Sequence, residues 1–66
     1  MKKKIDELIA FATKEKHFVS YESDDKLHYV ITLSRMIYSK EMRLLDGLDC
    51  MICIGDGEID ILIFKN

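Results

Sequence analysis

The chain has 66 residues, of which 48% are hydrophobic and 33% are charged, and its formal net charge is −2. This length fits one small domain spanning residues 1–66, and the composition is that of a globular chain rather than a disordered one. The acidic balance argues against a dedicated nucleic-acid-binding protein, because neutralising phosphates requires clustered lysine and arginine.

Membrane and secretory signals are not expected either. No apolar run approaches the ~20 residues of a membrane-spanning helix, and the first lysines lead into Ile5, Asp6 and Glu7 rather than an apolar signal core. We therefore expect a cytoplasmic protein without membrane association. A domain this small buries only about 60% of the surface of its unfolded chain, so a disulfide, a metal ion or a second subunit often supports it.

Residues 4–16 are predicted to form an amphipathic helix. Asp6 and Glu7 fall in its first turn, where the helix dipole favours negative charge. We expect the lysines at positions 2–4 to fray into solvent and the helix to end near Lys16, where the period of the pattern changes. Apolar residues recur at helical spacing along this segment: Ile5, Leu8, Ile9, Phe11 and Ala12.

Two segments with a period of two follow, residues 17–23 and 27–33, and they predict a β-hairpin. Leu27, Tyr29, Ile31 and Leu33 share one face of the second strand. They meet Val19 and Tyr21 only if the loop has an odd number of residues. A three-residue loop, Asp24-Asp25-Lys26, satisfies this condition, although it lacks the glycine that such loops favour.

Residues 34–48 are ambiguous. Asp46-Gly47 precedes Asp56-Gly57 by ten positions, which allows a three-stranded meander with two Asp-Gly turns. The segment between Ser34 and Asp46 contains strong helix formers, and its apolar and polar residues do not alternate. This favours a helix with Ser34 as N-cap and Gly47 at the C′ position. The predicted apolar side of that helix consists of Ile37, Tyr38, Met42, Leu44, Leu45 and Leu48.

Residues 48–65 are predicted to form a second hairpin around Asp56-Gly57, because Asp-Gly suits the positive φ angles of a tight turn. A two-residue loop then fixes which residues face each other. Its aliphatic surface pairs Ile54 with Ile59, Ile52 with Ile61, and Cys50 with Ile63. Its other surface pairs Gly55 with Glu58, Cys53 with Asp60, Met51 with Leu62, and Asp49 with Phe64.

The resulting element order is α-β-β-α-β-β, and we predict an α+β two-layer sandwich, with a four-stranded antiparallel sheet and two helices on one face. The last strand is apolar on both sides, so it should be central in the sheet or paired across a dimer interface. Met51, Leu62 and Phe64 form a patch on the face opposite the helices, and a second chain is its simplest cover.

The Cys50-x-x-Cys53 spacing suggests a zinc site or a redox dithiol. Residues three apart in a strand point to opposite faces, however, so we expect two ordinary thiols that diverge. No catalytic constellation, metal site or cofactor-binding motif is predicted.

Three ionisable residues lie within or beside the predicted strands and the second helix. His17 is expected to begin a strand, and His28 to form a surface ion pair near Glu22 rather than act as a general base. Glu41 falls within the apolar arc of the second helix. It either reaches solvent at the rim or, if buried, pairs with a strand residue such as His28 or with a partner protein.

The leading functional hypothesis is a non-catalytic protein-interaction module, homodimeric through its C-terminal hairpin. A second hypothesis is a small acidic inhibitor, of the kind that mobile elements and phages encode, which binds a basic host protein surface. A third is a zinc or thiol-redox protein that uses Cys50 and Cys53. The inhibitor would present the acidic residues of a segment without basic residues: Asp46, Asp49, Asp56, Glu58 and Asp60.

Overall fold

The computed structural model describes residues 2–23, 28–34 and 37–64. The helices are α1 (Lys2–Lys14) and α2 (Ser39–Leu45), and the strands are β1 (Phe18–Ser23), β2 (His28–Leu33), β3 (Cys50–Ile54) and β4 (Ile59–Phe64). The strands form one antiparallel sheet in the order β1-β2-β4-β3. The α+β class and the element order are as predicted, and β4 is central in the sheet.

The β3–β4 hairpin has the predicted register. Cys50 pairs with Ile63, Ile52 with Ile61, and Ile54 with Ile59. The turn differs in one detail. Gly57 has a φ of +76°, and among the described non-glycine residues only Lys16 has a positive φ. Asp56 therefore has negative φ. A type I′ turn requires positive φ at both central residues, so the sign pattern is that of a type II turn.

The β1–β2 hairpin has a register different from the expected one. Tyr21 pairs with Ile31 rather than Tyr29, and a bulge between Phe18 and Ser20 interrupts the ladder. Because of this bulge, Val19 is 46% exposed instead of joining the apolar face. The predicted loop at 24–26 and Leu27 lie outside the described residues.

Helix α1 begins earlier than predicted, at Lys2, so Asp6 and Glu7 lie beyond its first turn. Its lysines do not fray: Lys2 forms an i,i+4 ion pair with Asp6 at 3.1 Å. The helix ends in a Schellman motif. The His17 N–H donates to the Ala12 carbonyl, and the N–H of Lys16 donates to that of Thr13. Lys16 has a φ of +61°, a conformation that normally favours glycine.

The ambiguous segment is helical, but α2 is shorter than expected. Its N-cap is Tyr38, not Ser34. At its other end the Leu48 N–H donates to the Leu45 carbonyl, and Gly47 takes the positive φ of +83° that the sequence predicted for the C′ position. Met42 lies within α2 but is 50% exposed, although the sequence placed it on the apolar side.

Both helices cover the same face of the sheet. α1 contributes Ile5, Leu8 and Ala12, and α2 contributes Leu45. They pack against one row of sheet residues: Ile31, Leu33, Ile59, Ile61 and Ile63. No described helix is long and apolar enough to cross a bilayer.

Candidate functional site

The face of the sheet that the helices leave open is here called the outer face. It follows from the strand register, because successive residues of a strand point to opposite faces. Its members on the three strands β2, β4 and β3 are His28, Val30, Thr32, Asp60, Leu62, Phe64, Met51 and Cys53. None of the described segments packs over these residues as the helices do on the other face.

An apolar row crosses the outer face. Val30 pairs with Leu62, and Leu62 pairs with Met51. Met51 is 52% exposed, whereas Leu62 is half-buried. Phe64 continues the apolar surface toward the open end of the hairpin, and the ring of the half-buried His28 lies 6.0 Å from its ring. Met51, Leu62 and Phe64 are thus together on the face opposite the helices.

The other end of the outer face is polar. The Thr32 hydroxyl donates to Asp60 Oδ1 at 2.8 Å across neighbouring strands. Asp60 therefore already satisfies part of its hydrogen-bonding capacity within the sheet, and it is only half exposed. Cys53 pairs with Asp60 in the register and is exposed.

The remaining acidic candidates do not lie together. Asp46 and Asp49 precede β3, whereas Asp56 and Glu58 lie at the hairpin turn, and all four are exposed. The five extended residues of β3 between these pairs span roughly 17 Å. The structure thus places the predicted acidic surface at two ends of the hairpin, with Asp60 in the outer face.

The two thiols lie on opposite faces of the sheet. Cys50 is half-buried and packs against the core, and Cys53 is exposed on the outer face. Both are free cysteines. This divergence is what the strand geometry predicts, and it separates the two sulfurs that a shared metal ion or an internal disulfide would need side by side.

The two edge strands of the sheet are built differently. β1 carries the bulge next to Val19 and the charged residue Glu22. β3, with the sequence CMICI, has no charged residue and pairs regularly with β4. Ile54 at its end is 80% exposed. A regular, uncharged edge is a surface on which another strand can pair.

A buried polar pair between α1 and α2 is the feature that the sequence interpretation missed. Nε2 of His17 lies 2.8 Å from Oε2 of Glu41, and both side chains are fully buried. Glu41 Oε1 also accepts a hydrogen bond from the Tyr38 N–H at 2.9 Å. The expectation that Glu41 reaches solvent is therefore wrong, and its partner is His17 rather than His28. Its position in the apolar arc was the sequence signal for its burial.

The surroundings of this pair indicate a structural role. The Tyr38 ring lies 5.0 Å from the His17 ring, and Phe11 packs edge-on against Tyr38. His17 Nδ1 is buried and has no hydrogen-bond partner among the described residues. Neither side chain has a solvent-accessible atom, and neither can therefore contact a substrate. The pair instead connects α2 to the end of α1.

Charged groups on the helices remain at the surface. The hydrogen bond to Asp6 raises the pKa of Lys2 above its usual value, and contacts with Tyr21 add to the effect. An open cleft of about 340 Å³ lies beside the helices. It is lined by Glu7, Ala10, Phe11, Lys14 and Lys40. Its two lysines are exposed, and Lys40 Nζ lies 5.3 Å from the Phe11 ring.

Comparison with known proteins gives no family. No protein-family model, curated protein or solved structure matches the chain. The surfaces described above are therefore the basis for assigning a function.

Proposed function

We propose that this chain is a non-catalytic protein-interaction module that self-associates through its C-terminal hairpin, β3–β4. One observation carries the proposal: the hairpin exposes apolar side chains on its outer face and at its edge. Met51 is 52% exposed on the outer face, and Ile54, which points to the other face at the end of the same strand, is 80% exposed. Exposed apolar surface rimmed by polar residues is typical of protein-interaction sites.

The described helices are not free to cover this surface. Ile5, Leu8 and Leu45 are the buried residues by which α1 and α2 already pack on the opposite face of the sheet. A domain of this size also gains relatively little stability from its own core. A second copy supplies additional apolar burial without any change in the fold of the first.

The charge distribution favours a second copy as the occupant. The apolar row of Val30, Leu62 and Met51 contains no ionisable group, so the row itself brings no like charges together when two copies meet here. Two carboxylates flank it on the outer face. Asp60 is held by its hydrogen bond to Thr32, and the exposed Glu22 pairs with Val30 at the β1 end of the row.

Sedimentation equilibrium of the wild-type chain and of two aspartate variants tests this proposal. Met51→Asp places a charge in the apolar row of each copy. Val19→Asp is the matched control, because Val19 is similarly exposed, at 46%, but lies on β1. We expect dimers of the wild type and of Val19→Asp, and monomers of Met51→Asp. Equal association of both variants, or a wild type that stays monomeric at about 1 mM, contradicts the proposal.

An acidic inhibitor that binds a basic protein surface has less support. The exposed carboxylates of Asp46 and Asp49 lie at one end of β3, and those of Asp56 and Glu58 at the other. A single basic patch would have to span the strand to meet both pairs. Loss of a captured partner after charge reversal at all four positions, with retention by Met51→Asp, would favour this alternative.

A further inference from the structure

The hydrogen bonds of the second hairpin reveal which backbone groups of β3 are unused. Two bonds near its ends set the phase of the ladder: Gly55 N–H to the Glu58 carbonyl at 2.9 Å, and Phe64 N–H to the Asp49 carbonyl at 2.8 Å. Bonding direction alternates along an antiparallel strand. The odd-numbered residues of β3 therefore bond to β4, while the even-numbered ones direct their N–H and C=O groups away from the sheet. These are Cys50, Ile52 and Ile54.

The unused groups form an open edge among the described residues. β3 is the last strand in the order β1-β2-β4-β3, and it carries neither a charge nor a bulge. Proteins usually protect edge strands with such features, because an unprotected edge pairs readily with another strand. β1 has both protections, the bulge at Val19 and the charge of Glu22. The absence of protection is thus specific to the edge that belongs to the exposed hairpin.

We infer that two copies of the chain pair antiparallel through β3, with a two-fold axis at Ile52, and form one continuous eight-stranded sheet. This inference rests on the proposed self-association and specifies its geometry as pairing of the β3 edges, with Met51 of each copy beside the contact on the outer face. The axis at Ile52 sets Cys50 of each copy opposite Ile54 of the other. This register uses all the outward-facing groups of the strand.

A second copy fits this edge because the resulting assembly is closed. Antiparallel pairing of identical strands is a two-fold, self-complementary contact. It consumes both β3 edges and leaves only the two β1 edges, whose bulge prevents further pairing. The contact also brings no charged side chain of β3 against another. A single strand pair is a small interface, so the dimer is expected to dissociate in the micromolar range.

Ile54→Pro and Ile54→Ala form a matched pair that tests edge pairing. Both remove an exposed side chain, but only proline also removes the outward N–H, and it leaves the β3–β4 bonds intact. Sedimentation equilibrium should show a dimer dissociation constant at least about tenfold higher for Ile54→Pro than for Ile54→Ala, since two hydrogen bonds per dimer are lost. A chain with N-methylated Ile52, assembled by chemical ligation at Cys50, is a second test that does not depend on a proline beside the turn. Its dimer dissociation constant should also be higher than that of the wild type.

The outcomes separate this inference from the proposed function. Equal dissociation constants for Ile54→Pro and Ile54→Ala, with an unweakened dimer of the N-methylated chain, overturn edge pairing and leave self-association through the outer face intact. A wild type that is monomeric at about 1 mM overturns both.

Disulfide cross-linking determines the register. With the axis at Ile52, Met51 of one copy lies opposite Cys53 of the other in a non-hydrogen-bonded pair, a geometry that suits a disulfide. In a Cys50→Ala background, Met51→Cys should therefore cross-link efficiently under mild oxidation, whereas Cys53 alone should not. Efficient cross-linking through Cys53 alone would overturn the Ile52-centred register.

Discussion

His17 and Glu41 are separated by 24 positions in sequence, yet they share the most deeply buried polar contact of the described chain. Glu41 has two partners: Nε2 of His17 and the N–H of Tyr38 at the start of α2. It therefore caps its own short helix and ties that helix to the residue that follows α1. Nothing local in the sequence identifies His17 as the partner, because the contact depends on how the two helices pack.

Removal of the Glu41 carboxylate should be strongly destabilising. Glu41→Ala leaves the buried His17 ring without its partner and opens a cavity, so we expect a loss of about 3 kcal/mol in the free energy of unfolding. Urea denaturation followed by circular dichroism measures it. A loss below about 1 kcal/mol would mean that the pair adds little to stability.

Replacement of both partners should be less harmful than replacement of one. The double variant His17→Leu/Glu41→Met fills the site with apolar atoms and leaves no buried charge unpaired. It should therefore be more stable than Glu41→Ala in the same urea titration. A double variant that is less stable than the single one would show that the polar pair itself is required for packing.

Lys16 is a second residue whose conformation has a measurable consequence. Its φ of +61° is unfavourable for a residue with a Cβ atom, whereas glycine adopts it freely. Lys16→Gly should thus raise the free energy of unfolding by about 0.5 kcal/mol, the gain being limited by the greater entropy of the unfolded chain. Lys14→Gly, within α1, is the control and should lower it by about 1 kcal/mol. Destabilisation by both variants would contradict this explanation.

At the scale of elements, the two hairpins were predictable to different degrees. The β3–β4 register follows from the sequence because Asp56-Gly57 locates the turn and apolar residues alternate on both sides of it. The β1–β2 register does not, because no glycine marks its turn, and the bulge next to Val19 adds a further shift at Phe18. Bulges depend on tertiary packing and leave little trace in a pattern of apolar and polar residues.

The helices show the same limit. The stripe of α1 was predictable because its buried residues recur at helical spacing along the whole element. α2 has only seven residues, and Ser34 was the better N-cap by residue type. Glu41 changes that preference, because it accepts a hydrogen bond from the Tyr38 N–H. A local sequence pattern does not show whether a glutamate at this position makes such a bond or is exposed to solvent.

The glycines of the second hairpin allow a test of its turn. Gly57 has positive φ, whereas Gly55 does not, and a Cβ at Gly55 would make only an ordinary contact of 3.9 Å with the Glu58 carbonyl. Gly57→Ala should therefore lower the free energy of unfolding by about 1 kcal/mol, and Gly55→Ala by much less. Thermal unfolding of the two variants compares them. Equal losses would argue against a turn that depends on the conformation of Gly57.

At the scale of the whole molecule, the sheet is asymmetric. One face is covered by two helices and contains the core, while the other carries the exposed Met51 and the half-buried Leu62 and Phe64. The sequence predicted this asymmetry, since β4 is apolar on both sides. It did not predict which edge of the sheet is open, because that depends on the strand order.

Self-association should make thermal stability depend on protein concentration. A ligand that binds only the folded state raises the unfolding temperature, and here the ligand is a second copy. We expect the unfolding temperature to rise by roughly 2–5 °C between about 20 µM and about 500 µM. Calorimetry at the two concentrations measures this shift, which should be absent in Met51→Asp. A shift of the same size in that variant would place the contact elsewhere.

The most direct test of self-association through the C-terminal hairpin is a dilution series of the wild-type chain observed by residue-resolved NMR. Between about 1 mM and about 10 µM, the amide resonances of β3, Leu62 and Phe64 should change with concentration, while those of α1 should stay constant. Resonances that are independent of concentration throughout, or changes confined to the helical face, would contradict the proposed interface.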